Sequence, residues 1–182
     1  PESIPVTLEG RAGDLRDEMV SFGLPLPFGF LKDSQNVRIV DERGAEVPAA
    51  IRSLEPWRTG GREGSIRSLL IQFKLDFSRR KTQQVNVRFD ARRRPKQATF
   101  VPVSQTLIDD SGLKGPRVAA VLPAIWLCAS GVVGPQVPAT ESGEYSSYDR
   151  FVEKNFPGSL AYLDSKVYSE WLFDRTTCYY KM

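Results

Sequence analysis

Apolar and polar residues alternate with a period of two through most of residues 1–130, the pattern of half-buried β-strands. The clearest run is 65–77, SIRSLLIQFKLDF. It places Leu69, Ile71, Phe73, Leu75 and Phe77 on one face and Leu70, Gln72, Lys74 and Asp76 on the other. A polar turn at 78–84 leads to Val85, Val87 and Phe89, which alternate with Asn86, Arg88 and Asp90. The spacing predicts that these two strands pair antiparallel. Upstream, Val37 and Ile39 and then Val47, Ala49 and Ile51 flank Asp41-Glu42-Arg43-Gly44. That is a hairpin signature with glycine at the left-handed position. Residues 6–9, 97–103 and 118–127 read as further strands, the last one buried.

The segment 21–30, SFGLPLPFGF, interrupts this alternation with two prolines and two glycines. Proline fixes φ and offers no amide donor, so Pro25 and Pro27 predict an extended edge segment. Gly23 and Gly29 permit turns that other residues resist. Residues 130–143 are rich in Gly, Pro and small side chains, and 131–158 reads as a linker. Beyond it the period changes. From Ser159, a suitable N-cap after Pro157-Gly158, apolar residues fall at Leu160, Leu163, Val167, Trp171 and Leu172, which is helical spacing. A helix with a broad apolar face must bury it against something. The expected architecture is therefore mainly β, with an antiparallel β-barrel or sandwich over 1–130. A linker over 131–158 follows, and then a C-terminal helix, 159–182, that begins a helical domain of a longer protein.

Composition narrows the chemistry. The chain has 182 residues, no histidine and two cysteines. A Ser-His-Asp or Cys-His centre built from this chain alone is excluded, and an ordinary zinc site is not expected. No cofactor motif is present: GxxxxGK[ST], GxGxxG and EF-hand loops are all missing. Cys128, in the apolar WLCAS, reads as a buried thiol, with a Cys128–Cys178 disulfide as the alternative. No run reaches the ~18 apolar residues that span a bilayer. The N-terminus lacks a basic region followed by an apolar one. The protein is therefore cytoplasmic, or secreted or periplasmic with its signal peptide removed. Its start at Pro1 favours processing.

Net charge is +3. The basic clusters Arg79-Arg80-Lys81 and Arg92-Arg93-Arg94 sit at opposite ends of the strand carrying Val85 and Val87. They carry no interleaved aromatics, so they read as solvated turn charges and not as a nucleic-acid track.

Three motifs together resemble the N-terminal barrel domain of the exo-rhamnogalacturonan lyase-like family, a domain related to RIFT barrels. Gly23 to Gly29 matches its G-x-P-x-P-x-G turn. Asp41 to Pro48 matches d-x-x-G-x-x-V-P, and Trp57 to Arg67 matches W-x-x-D-G-S-[IV]-[KR]. The loop TGGREG is longer than the family pattern and carries Glu63 where the family often has Asp. LPAIWLCASGVVGPQ and WLFDRTTCYY are similar to the junction and first helix of that family's α/α-toroid domain. The resemblance spans about three-quarters of the chain in scattered patches. It implies a module of a secreted polysaccharide-processing protein, not a complete catalyst, with an acidic polysaccharide or oligosaccharide and a C-terminal helical domain as partners. The alternative is a non-catalytic carbohydrate-binding or structural module.

All six tyrosines lie within the last 38 residues. Lyase chemistry on a uronate needs a base beside the carboxylate and a cation to neutralise it. Without histidine, Tyr145 and Tyr148 are the candidate bases, and Arg150 and Arg175 the candidate neutralisers, since arginine meets a carboxylate bidentately. Packing at a helix interface is the alternative role for the tyrosines, and an Asp174–Arg175 ion pair for that arginine. Trp57 with Arg58 and Arg62 forms a candidate substrate-binding patch, a ring to stack on a sugar with cations to hold its carboxylate. Trp57 equally suits a plug at one end of the barrel.

Overall fold

The structure, a computed structural model, describes residues 3–11, 16–59, 62–90, 97–110, 113–138, 141 and 143–165. The described strands are β1 (Ser3–Gly10), β2 (Glu18–Pro25), β3 (Val37–Asp41), β4 (Glu46–Val47), β5 (Ala49–Thr59), β6 (Arg62–Leu75), β7 (Thr82–Phe89), β8 (Leu107–Asp110), β9 (Leu113–Pro116) and β10 (Val118–Val121). The described α-helices are α1 (Ala124–Ser130) and α2 (Ser146–Ser165). The chain divides into two compact units, Pro1–Val132 and Val133–Met182.

In the first unit, a five-stranded sheet ordered β10-β1-β7-β3-β4 faces a three-stranded sheet ordered β2-β6-β5. Every strand pairing is antiparallel. The β3–β4 hairpin turns as its sequence predicts. Gly44 has φ 80°, and the Asp41 Oδ1 accepts the amides of Arg43 and Ala45 at 2.9 and 2.8 Å. After Pro48 the chain leaves this sheet, and Ala49 and Ile51 pair with Phe73 and Ile71 of β6. On the other side, the Arg117 guanidinium grips the buried Glu18 carboxylate through two contacts of 2.6 and 3.0 Å. This ties the residue before β10 to the start of β2, so the two sheets close on both sides as a flattened barrel. Leu69, Ile71 and Phe73 of β6 meet Ile4, Val6, Leu8, Ile39, Val85 and Val87 in one core.

Four sequence expectations are corrected. First, β6 and β7 do not pair. Both edges of β6 are taken, by β2 and β5, and both edges of β7 by β1 and β3. Buried Phe77 lies in the link that carries the chain from one sheet to the other. Alternation reports which face is buried and not which strand lies alongside, so both pairings fit the same pattern.

Second, residues 97–103 form no strand ladder. Gln97 makes an isolated bridge with Ala49, and the chain then straps across the outer face of the three-stranded sheet. The Ala98 amide donates to the Ala49 carbonyl and the Val101 amide to Gln72 Oε1. Gln72, on the face that alternation marks as polar, is consequently 1% exposed.

Third, 118–127 is not one strand. β10 stops at Val121, and Pro123 occupies the N-cap position of α1, where its missing amide costs nothing. Fourth, the C-terminal helix does not begin at Ser159. It starts at Ser146 and continues through Pro157 to Ser165. It thus covers the second half of the 131–158 segment read as a linker. The run 146–156 has no internal breaker, which is why helix forms ahead of the proline.

Candidate functional site

The apolar turn after β2 is the most heavily fastened segment of the first unit. Gly29 adopts φ 79°, a left-handed conformation that favours glycine. Its amide donates to the buried Ser65 Oγ at 2.6 Å. The Leu26 amide donates to the Arg67 carbonyl, and the Ile66 amide to the Leu31 carbonyl. Two tryptophans hold successive carbonyls: Trp126 Nε1 reaches Pro25 O at 2.8 Å, and Trp57 Nε1 reaches Leu26 O at 2.9 Å. The prolines withhold amide donors while the carbonyls of Pro25 and Leu26 remain available, and the two indole N–H groups donate to them.

Behind the turn, Phe30 meets Phe89 and Trp126 edge-on at 4.8 and 5.2 Å between ring centroids. These rings cap one end of the core. In front of it, Phe28 is 61% exposed and meets Trp57 edge-on at 6.2 Å. The Arg67 guanidinium lies over the Trp57 ring, 5.0 Å from its centroid. Gly64 gives Trp57 its place: a Cβ on Gly64 would stand 2.5 Å from the Trp57 carbonyl oxygen.

Trp57 is thus half-buried, with its N–H bonded and one face under a cation. The plugging role and the surface role meet in this one residue. Its indole fastens the turn, and the solvent-facing chemistry passes to Phe28 and Arg67. Neither was among the sequence candidates, although both lie inside the matched motifs. Phe28 is the one aromatic between Gly23 and Gly29. Arg67 is the basic residue that breaks the apolar run of β6. Those were the available signals.

Arg58 is exposed and paired with Glu55 at 3.0 Å. An exposed pair of this kind contributes little stability and can exchange partners. Arg62 is described as a β6 residue opposite Thr59. Tyr145 and Tyr148, in the second unit, are 62% and 70% exposed. Tyr148 and Arg150 belong to the first turns of α2, and Tyr145 ends the 3-10 turn just before it. The side chains of Tyr145 and Tyr148 make no ring contact or hydrogen bond among the described residues. Arg175 lies outside the described residues, as does Cys178; Cys128, expected to be buried, is a half-buried free thiol in α1. Among the described residues no group of three potential metal ligands occurs, and no helix is long and apolar enough to cross a membrane.

The first unit therefore carries a ring-and-guanidinium surface but, among the described residues, no nucleophile–base pair. Scans against family models, curated proteins and solved structures found no match.

Proposed function

We propose that this chain is the β-barrel module of a secreted polysaccharide-processing protein similar to exo-rhamnogalacturonan lyases. In this reading it shapes the surface along which an acidic saccharide lies and leaves the bond-breaking to other residues. The observation that carries the reading is the exposed pair Phe28 and Arg67, each set against the half-buried Trp57 ring and built on the same turn and strand that resemble that family. An exposed ring offers an apolar face to a sugar, and a planar guanidinium with no ion pair among the described residues offers a bidentate contact to its carboxylate. Isothermal titration of the chain with oligogalacturonides tests it: binding that weakens in Arg67→Ala supports the reading, and no heat with any oligomer removes it. Lyase activity belongs to the whole protein. A longer form that releases no unsaturated product from any pectic substrate would remove that part of the proposal.

A structural or interaction module is the second reading. The bonding of Trp57 favours it, because its N–H and one face are already engaged by Leu26 and Arg67. A folded chain that binds no saccharide, neutral or acidic, is the outcome this reading expects.

A further inference from the structure

β2 ends in the fastened turn and begins at a cleft. The cleft holds about 280 Å³ and is lined by Asp17, Glu18, Lys74, Gln105 and Arg117, with Val101 of the strap beside them. β2, eight residues long, separates it from the turn by about 20 Å. None of Phe28, Trp57 and Arg67 lines it.

Arg117 is the fixed point of this cleft. Its Nε and Nη2 each donate to the buried Glu18 carboxylate, at 2.6 and 3.0 Å. Its backbone is tied as well, the amide to the Thr106 carbonyl and the carbonyl to the Arg11 amide, both at 2.9 Å. A guanidinium carries five N–H donors in a planar fork. The two on Nη1 and the second on Nη2 have no partner among the described residues. Ordering an arginine opposes binding, and here Glu18 has already ordered it.

Three further polar groups of the cleft are unengaged. Lys74 is exposed on β6 opposite Met19 and forms no ion pair among the described residues. The Gln105 amide side chain and the Asp17 carboxylate make no hydrogen bond among them. Arg16 also lines the cleft, with its charge already acting on Asp76. Asp17 has φ 49°, the one positive value of a non-glycine residue among those described. Such backbone is disfavoured for most side chains, and it recurs at ligand sites.

The charges select the ligand. With Glu18 neutralised by Arg117, the cations outweigh Asp17, so the cleft favours an anion. A flat pair of N–H groups matches a carboxylate or one face of a phosphate. Asp17 separates the two, because it repels the larger charge of phosphate and accepts a hydrogen bond from a hydroxyl. The volume lies near the lower end of the ~300–1,000 Å³ typical of ligand sites, which suits a molecule about the size of one sugar.

We infer that this cleft binds a small hydroxy acid, its carboxylate on the outer edge of Arg117 and on Lys74, its hydroxyls on Asp17 and Gln105. The site is independent of the saccharide surface at Phe28 and Arg67.

The test is titration of the full 182-residue chain with galacturonate, glucose and inorganic phosphate, followed by backbone amide shifts. Galacturonate is expected to move the Asp17, Lys74, Gln105 and Arg117 amides in a saturable way. Glucose, which lacks the carboxylate, is expected to move none of them, and phosphate to bind at least about tenfold more weakly than galacturonate. Lys74→Ala is expected to weaken galacturonate about fivefold, the loss that one exposed charged contact gives. Lys74 is exposed, so unchanged thermal unfolding separates lost binding from lost fold. Asp17→Asn removes the repulsion and is expected to tighten phosphate about threefold. Phosphate binding as tight as galacturonate in the parent would overturn the hydroxy-acid assignment. Galacturonate shifts confined to Phe28 and Arg67, or no shifts with any probe, would overturn the site and leave the oligosaccharide titration to decide the proposed function.

Discussion

Gly64 shows how one residue sets the candidate surface. A methyl group there would collide with the Trp57 carbonyl at 2.5 Å, an approach that backbone cannot yield to cheaply. Gly64→Ala is expected to lower stability by about 1–3 kcal/mol, the usual cost of overpacking. Displacement of the indole would also shift the tryptophan fluorescence. Ser65 is the matching case in polar form. Its buried hydroxyl receives the Gly29 amide. Ser65→Ala should cost about 1 kcal/mol, measured by denaturant unfolding. Both residues stand in the loop-and-strand motif GSIR, where the sequence marks Gly64 as the end of the polar loop and Ser65 as the start of the strand run. It does not show that they serve a turn thirty-odd positions away, because composition records a residue's tolerance and not its partner.

Among elements, the strap after Gln97 departs most from a sequence reading. Its amides bond to a carbonyl and to one side chain, Gln72, which also donates to Ser21 Oγ at 3.2 Å. In the sequence Gln72 is an ordinary polar residue on the outer face of a strand. Burial under the strap turns it into the pin that holds three segments. Gln72→Leu keeps the bulk and removes the bonds. It is expected to speed hydrogen exchange at the Val101 amide and to cost about 1–3 kcal/mol, since a buried donor and acceptor lose their partners. Unchanged exchange at Val101 would mean the strap is held by Ala98 alone. The β3–β4 hairpin is the opposite case. All its determinants are local, and Asp41 and Gly44 act as their spacing predicts.

For the whole molecule, closure depends on contacts far apart in sequence. Arg117 and Glu18 join the two sheets, and the carboxylate is almost wholly buried. The two-pronged contact raises the Arg117 pKa further above its ordinary value, chiefly through the hydrogen bonds to Glu18. Arg117→Met would leave that carboxylate buried without its partner, and a loss of about 3 kcal/mol is expected by thermal unfolding. A second long-range tie is exposed. Glu42, in the β3–β4 turn, accepts the Gln84 amide at 3.0 Å and pairs with Arg80 at 2.9 Å. The amide first, and then the guanidinium, lower the Glu42 pKa below the usual glutamate value. Ser78 lowers that of Asp76. A carboxylate with a lowered folded pKa stabilises the fold above its ordinary pKa, and that contribution is lost as pH falls through the folded value. Thermal stability should therefore decline below about pH 4. Glu42→Gln should decline less steeply over that range, which a melting series across pH would show.

The sequence by itself determined the β character of residues 1–130, the faces of β6 and β7, the local hairpin at Gly44 and the importance of the proline turn. Each follows from short-range physics: side-chain alternation, fixed φ at proline, and freedom of φ at glycine. Only the tertiary structure decided which strands are neighbours, that Pro123 opens a helix, that Gln72 is interior, and that Trp57 is engaged while Phe28 and Arg67 face solvent. Those outcomes depend on which distant segment arrives to cover a face or accept a hydrogen bond. A pattern of period two says that a face is buried, and it is silent on what buries it.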